Sequence, residues 1–305
     1  MRDLRLKARA KINLTLDVTG KREDGYHLIK SIMQTVSLYD GIYMKRIRKK
    51  EIIIKTNLAW LPTDHRNLAY RAAELMMAKF DITEGVFIEI DKRIPVAAGL
   101  AGGSADCAAV LVGMNRLFGL GLSVRELESL AFLLGSDIPY CVQRGTMLAE
   151  GVGEILTPVK CPCPMCYIVL AKLPVSVSTA TVYRSLDLQK VEECHPDTEG
   201  MIQAMAEGDI AKMGQLLGNV LETVTIPMHP RIAQLKEEML HLGAKGALMS
   251  GSGPTVFGLF GEEEDAKEAA AAIRKKFGLK EVVATQIYHG NGGKRGEDKD
   301  GRNKI

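Results

Sequence analysis

The stretch Pro95-Val96-Ala97-Ala98-Gly99-Leu100-Ala101-Gly102-Gly103-Ser104-Ala105-Asp106 joins two segments of different periodicity. Before it, Val86, Ile88 and Ile90 fall on one side of an alternating pattern. After it, Cys107-Ala108-Ala109-Val110-Leu111-Val112 reads as helix. A glycine-rich turn that opens a helix is a physical device for holding an anion. Glycine lets the backbone approach a ligand and adopt positive φ. The first helical N–H groups have no partner in the helix, and the helix dipole favours negative charge there. Phosphate is the expected guest. Taken alone, the motif also fits a tight strand-to-helix turn packed with small residues. Its spacing is neither that of a P-loop nor that of a Rossmann turn.

A chain of 305 residues is long enough for two ordinary domains and a large core. The net charge of +3 is weak, and much of it lies in Lys45-Arg46-Ile47-Arg48-Lys49-Lys50 and in the C-terminal residues. That run carries no interleaved aromatics and reads as a solvated strand face, so no nucleic-acid partner is expected. No apolar run approaches the ~20 residues of a membrane span. Strand alternation begins almost at the N-terminus, so neither a leader nor a membrane partner is expected, and the reading is of a bacterial cytoplasmic enzyme. Six cysteines in a chain this long do not make a disulfide scaffold. Cys161, Cys163 and Cys166 cluster around prolines, without the second pair that zinc spacing requires, and read as free thiols in a stiff loop.

Residues 4–18 alternate regularly. Leu4, Leu6, Ala8, Ala10, Ile12, Leu14, Leu16 and Val18 take one face. Lys7, Arg9, Lys11, Asn13, Thr15 and Asp17 take the other. This is a half-buried strand whose polar face is available for chemistry, with Lys11 and Asn13 pointing the same way. The polar turn 20–27 ends in Tyr26 and His27, which suit either a flat base or a capped hairpin end. Strands are predicted at 28–38, 41–48 and 51–56, and a helix capped by Asn67 through Phe80. Ser123 and Glu126 form a capping box for a helix over 124–134 that stops at Gly135. Asp137 then sits on a short loop before Pro139, ahead of strands at 140–149 and 153–157.

The loop 158–165 is the candidate domain boundary, giving domains 1–157 and 158–289. A strand at 166–171 and a short helix containing Tyr183 follow. Helices are predicted near 197–207, 209–223 and 230–242. The glycine-rich stretch 243–258 precedes a strand at 255–260, a helix at 263–277 and a strand at 281–288. Residues 290–305, glycine and charge for the most part, read as a disordered tail.

Three stretches together resemble the GHMP kinase family: Ala10-Lys11-Ile12-Asn13-Leu14, the glycine loop at 95–105, and Ser250-Gly251-Ser252-Gly253-Pro254-Thr255. The resemblance runs over roughly residues 1–288, with the motifs in matching order and spacing. It implies an α+β fold of two domains, an N-terminal domain like domain 2 of ribosomal protein S5 and a ferredoxin-like C-terminal domain, with the active site in the cleft between them. It implies ATP and Mg²⁺ as cofactors and a small-molecule alcohol as acceptor, in a monomer or weak homodimer. Gly25-Tyr26-His27, Asn67-Leu68-Ala69 and Gly135-Ser136-Asp137-Ile138-Pro139 point within the family to kinases of a cytidine-diphosphate-linked methylerythritol, which act in the non-mevalonate route to isoprenoid precursors. The alternatives are a homoserine or mevalonate type of kinase, whose substrates carry no flat base, and a non-catalytic ligand sensor, which would lack the base or the lysine.

In that family Asp137 matches the general base. Lys11 matches the active-site lysine, which pairs with the base and stabilises charge developing near the γ-phosphate. An aspartate, with an ordinary pKa of ~3.9, is a weak base for a free alcohol. It suffices because the proton leaves late, once a loose transition state has made the hydroxyl acidic. Pro95, Ala97, Ala98, Gly99, Leu100, Ala101, Gly102, Gly103, Ser104 and Ala105 match the nucleotide loop, with Asn67 near the adenine and the Ser104 hydroxyl directed at phosphate or Mg²⁺. No acidic metal ligand is identified. Asn13 is placed at the acceptor alcohol, Tyr26, His27 and Tyr183 around the cytosine, and Thr179 at the same end of the substrate.

Overall fold

The computed structural model describes residues 3–191 and 194–289; the predicted tail lies outside the described residues. Strands β1 (Asp3–Lys21) and β2 (His27–Ile47) form a long antiparallel hairpin. The regular alternation explains β1 but understates its burial. Every residue from Ala10 to Val18 is buried, so Lys11, Asn13, Thr15 and Asp17 lie inside the molecule and not on a solvated face. β2 is one strand and not the two predicted. The predicted break between residues 38 and 41 is absent: Gly41 pairs with Lys7 on one side and Asp91 on the other. The Asp40 carboxylate accepts from the backbone N–H groups of Arg93 and Ile94, a tertiary contact invisible to local pattern.

Next come β3 (Ile52–Thr56), α1 (Leu68–Lys79), β4 (Gly85–Asp91), α2 (Gly102–Phe118), α3 (Val124–Phe132), α4 (Ile138–Gln143), β5 (Thr146–Glu150) and β6 (Ile155–Pro158). α1 starts where Asn67 accepts a hydrogen bond from the Ala69 N–H, and α3 carries the expected Ser123/Glu126 capping box. α4 stands where a strand was predicted. Tyr140, Cys141 and Val142 have strand-forming side chains, but Pro139 in the first turn and burial of Tyr140 against Thr35 favour a helix. The glycine at 113 lets α2 lie close on the sheet, since a Cβ there would come within 2.2 Å of the Met44 sulfur.

The remaining elements are β7 (Tyr167–Lys172), α5 (Thr179–Ser185), α6 (Leu188–Val191), α7 (Thr198–Glu207), α8 (Ile210–Leu216), β8 (Gly218–Asn219), α9 (Glu222–Met228), α10 (Arg231–His241), β9 (Gly246–Met249), β10 (Thr255–Phe260), α11 (Glu263–Phe277) and β11 (Val282–Gln286). The helix predicted over 209–223 is interrupted, because Gly218 and Asn219 pair in parallel with Thr15 and Leu16 of β1.

Two sheets result. One runs β3-β4-β2-β1-β8, with β5 added to β2 and β6 to β5. The other is antiparallel, in the order β11-β7-β10-β9. α1 and α2 cover the first sheet over Met44, Ile88, Ile90, Met76 and Val110, while Ala10, Ile12, Leu14 and Ile32 share a second core with Ile168, Leu170 and Phe257. The fold is the expected α+β arrangement. Among the described residues no helix is long and apolar enough to cross a membrane.

Candidate active site

The glycine loop leaves β4 and ends as α2 begins. Its turns are tighter than its glycines suggest, because Ala97, Gly99 and Ala101 take φ of 51°, 73° and 54°. Two alanines in the left-handed region each cost about 1–2 kcal/mol, strain of the kind that concentrates in ligand-holding loops. Ala101 occupies the N-cap of α2 and supplies no side-chain cap. The first helical bond runs from the Ala105 N–H to the Ala101 carbonyl, at 2.8 Å. The N–H groups of Gly102, Gly103 and Ser104 therefore remain directed out of the helix end, as an anion requires. Asn67 lies across from this turn, where a Cβ on Gly103 would be 3.8 Å from its neighbour Leu68. The Asn67 side chain itself is engaged with the Ala69 N–H and the Pro62 carbonyl.

β1 delivers Lys11 to the same place. Its backbone N–H donates to the Leu100 carbonyl at 3.1 Å, which ties strand to loop. Its Nζ donates to Asn13 Oδ1 at 2.7 Å and lies 4.0 Å from the Asp137 carboxylate. Asn13 in turn donates to Ser31 Oγ at 2.9 Å. Asp137 is the N-cap of α4, yet its side chain makes no capping bond and is 40% exposed, against 5% for Lys11. The carboxylate is thus uncommitted to the helix end and partly open to solvent. The neighbouring thiols of Cys107 and Cys141 are held protonated by burial, Cys141 up to about 12, so neither is a nucleophile.

From the second half, the turn Ser250–Pro254 closes over the loop. Ser250 Oγ donates to the Gly99 carbonyl at 3.0 Å. Asn219 Nδ2 donates to the carbonyls of both Met249 and Gly251 at 2.8 Å, holding the turn from behind. Ser252 Oγ meets Thr179 Oγ1 at 2.8 Å at the start of α5. One turn later on α5, the Tyr183 ring faces His27 with centroids 5.3 Å apart and planes tilted by 37°. Burial, and then the Asp137 charge, push the Tyr183 phenol well above its usual range. Burial, helped by Lys21, lowers the His27 pKa below its ordinary 6.5.

The structure thus brings together Lys11, Asn13, Asp137, the loop 95–105, Thr179, Tyr183 and His27. It does not bring Tyr26 into the ring pair: Tyr26 is 63% exposed, and its backbone N–H is tied to Asp24. Ser31 and Asn219 were missed. A serine within an apolar strand and an asparagine between two helices carry no local sign of a role. Cys163 and Cys166 are buried and Cys161 is exposed, and among the described residues no group of three metal-ligating side chains occurs.

Comparison with known proteins shows the family. The model of the GHMP kinases N terminal domain matches residues 67–145, and that of the GHMP kinases C terminal region matches residues 201–279. The chain belongs to the GHMP kinase family, and its curated relatives are ATP-dependent kinases. It is 50% identical over 288 residues to a 4-diphosphocytidyl-2-C-methyl-D-erythritol kinase of Lachnospira eligens, spanning 94% of this chain and 99% of that protein. It is 47% identical over 290 residues to the kinase of the same name from Alkaliphilus oremlandii, spanning 95% and 98%. A crystal structure of 4-(cytidine 5'-diphospho)-2C-methyl-D-erythritol kinase superposes with a TM-score of 0.80 at 32% identity, covering 93% of this chain and 99% of that one.

Proposed function

We propose that the protein transfers the γ-phosphoryl group of ATP to the 2-hydroxyl of 4-diphosphocytidyl-2-C-methyl-D-erythritol, a step in the non-mevalonate route to isoprenoid precursors. The observation that carries this reading is an uncapped helix end whose loop is tied to the Lys11–Asp137 pair, with a His27–Tyr183 ring pair on the helix that Thr179 joins to the Ser250–Pro254 turn. The helix end suits a triphosphate and the rings suit a flat base. The carboxylate between them suits a hydroxyl that must lose a proton.

The acceptor is a tertiary alcohol, hindered and weakly acidic, so positioning contributes most of the rate. Open N–H groups of Gly102, Gly103 and Ser104 fix the phosphates. Lys11, oriented by Asn13, balances charge between the acceptor oxygen and the γ-phosphate, and Asp137 takes the hydroxyl proton as the P–O bond to the donor breaks. His27 and Tyr183 enclose the base. Stacking selects a planar ring, and hydrogen bonds to the ring edge, with neutral His27 as one partner, select cytosine. Mg²⁺ would take the Ser104 hydroxyl as its protein ligand beside the nucleotide phosphates. When bound, the ion would supply charge neutralisation at the phosphates.

We propose further that residues 1–157 and 158–289 act as two lobes of one cytoplasmic enzyme, monomeric or weakly dimeric. An assay of ADP release tests the function with three acceptors: the cytidyl substrate, homoserine and mevalonate. Turnover is expected with the first alone. Turnover with homoserine or mevalonate and none with the cytidyl substrate overturns the assignment.

A further inference from the structure

One buried charge cluster takes no part in the chemistry above. Lys92 follows β4 directly, and its side chain is 3% exposed. Its Nζ pairs with Asp40 Oδ2 from β2 and, at 2.8 Å, with Asp106 Oδ2 from the first turns of α2. The other Asp40 oxygen accepts from the N–H groups of Arg93, at 2.5 Å, and Ile94, at 2.8 Å. Asn57 Oδ1 accepts from the Lys92 N–H at 2.9 Å, and its amide donates to the Lys92 carbonyl at 3.1 Å. The second Asp106 oxygen is buried with no partner. Burial opposes the charge on Lys92, but Asp106 and Asp40 outweigh it and hold the ammonium charged, while burial, with Asp40 beside it, pushes the Asp106 carboxyl up to about 8.

As a source of stability this arrangement is a poor one. Three buried ionisable groups with an orphan oxygen are commonly matched or bettered by apolar side chains of the same volume. A cation below a helix N-terminus also opposes the helix dipole. The placement supplies the reason. Residues 92 and 106 lie fourteen apart, one before the phosphate loop and one after it. A Cβ built on Gly102 would be 3.3 Å from the Lys92 nitrogen and 3.0 Å from Ile94, so the ammonium sits directly beneath the first N–H groups of α2.

We propose that Lys92 is a positioning residue for the nucleotide: clamped between Asp40 and Asp106, it fixes both ends of the phosphate loop and thereby the direction of the Gly102–Ser104 N–H groups. It acts through the loop and touches no substrate. The proposal rests on ATP binding at this loop and is independent of which alcohol receives the phosphate.

The test measures binding of a non-hydrolysable ATP analogue with Mg²⁺, and of adenosine, by titration calorimetry. It uses Lys92→Met and the charge-free triple variant Asp40→Asn/Lys92→Met/Asp106→Asn. The triple variant leaves no unpaired carboxylate and is the informative one where the single change fails to fold. For each folded variant the Kd of the triphosphate is expected to rise at least about tenfold, as small misplacements of binding groups do. The Kd of adenosine is expected to stay within about twofold. Steady-state kinetics should show the same split, with KM for ATP raised and KM for the acceptor unchanged. Wild-type triphosphate affinity in the folded triple variant overturns the proposal, as does an equal loss of adenosine affinity. Failure of the wild-type enzyme to use the cytidyl acceptor would instead overturn the substrate assignment and leave this measurement intact.

Discussion

Gly99→Ala should damage the site more than any other single methyl group. Gly99 has φ of 73°, and a Cβ there would lie 2.1 Å from the Ser250 carbonyl oxygen and 3.2 Å from that of Gly253. The left-handed backbone costs an alanine about 1–2 kcal/mol. Both obstructing atoms are backbone, so relief requires separating the loop from the Ser250–Pro254 turn, and overpacking of this kind costs about 1–3 kcal/mol. The sum is about 2–5 kcal/mol, borne by the contact that joins the two halves of the cleft. Thermal unfolding and ATP kinetics read it together. A melting temperature lower by several degrees is expected, as about 2–4 °C is lost per kcal/mol in domains of 150–250 residues. A fall of at least about tenfold in kcat/KM for ATP should accompany it, since about 1.4 kcal/mol suffices for that factor. Gly103→Ala is the control for stability. Its Cβ would meet nothing nearer than Leu68 at 3.8 Å, in a helical turn where alanine is favoured, so its melting temperature should hold or rise. Wild-type melting and wild-type ATP kinetics in Gly99→Ala would refute the reasoning.

Other outcomes follow from the same geometry. Asp137→Asn should lower kcat by orders of magnitude while the Kd of an ATP analogue stays within a few-fold, because the side chain makes no capping bond; unchanged kcat removes Asp137 from the chemistry. Ala101→Gly relieves a left-handed alanine and should leave the melting temperature equal or higher by the equivalent of about 1 kcal/mol, less glycine's added freedom in the unfolded chain; a clear fall contradicts the strain. The His27 pKa is depressed, so the unfolded chain takes up its proton first as pH falls. The stability from the neutral ring is present above 6.5 and lost as pH drops through the lower folded value. KM for the cytidyl substrate should rise in that window while KM for ATP does not, and a flat profile would exclude the neutral ring as a base contact.

Much of this was legible in the sequence because the signals are local. The alternation of β1, the caps at Asn67 and Ser123 and the glycine loop each depend on residues a few positions apart. What escaped depends on distant partners. The break predicted between residues 38 and 41 disappears once the backbone of Arg93 and Ile94 is present to engage the Asp40 carboxylate. The segment 209–223 has helical composition until β1 offers Thr15 and Leu16 to Gly218 and Asn219. At the site, residue types with obvious chemistry, Lys11 and Asp137, were found from a family resemblance. Asn219 and Lys92 act by holding backbone in place and have no local signature. Tyr26 and His27 are adjacent in sequence, but only the tertiary position of α5 decides which ring Tyr183 meets.

In the proposed reaction Asp137 takes the proton of the acceptor hydroxyl while the loop at 95–105 holds the triphosphate. A crystal structure of the protein with a non-hydrolysable ATP analogue, Mg²⁺ and the cytidyl substrate measures this directly. The account predicts an Asp137 carboxylate oxygen within about 2.6–3.2 Å of the 2-hydroxyl oxygen, or one water away, with that oxygen in line with the γ-phosphate. A 2-hydroxyl bound beyond one water from Asp137, with another side chain at hydrogen-bond distance, would contradict it.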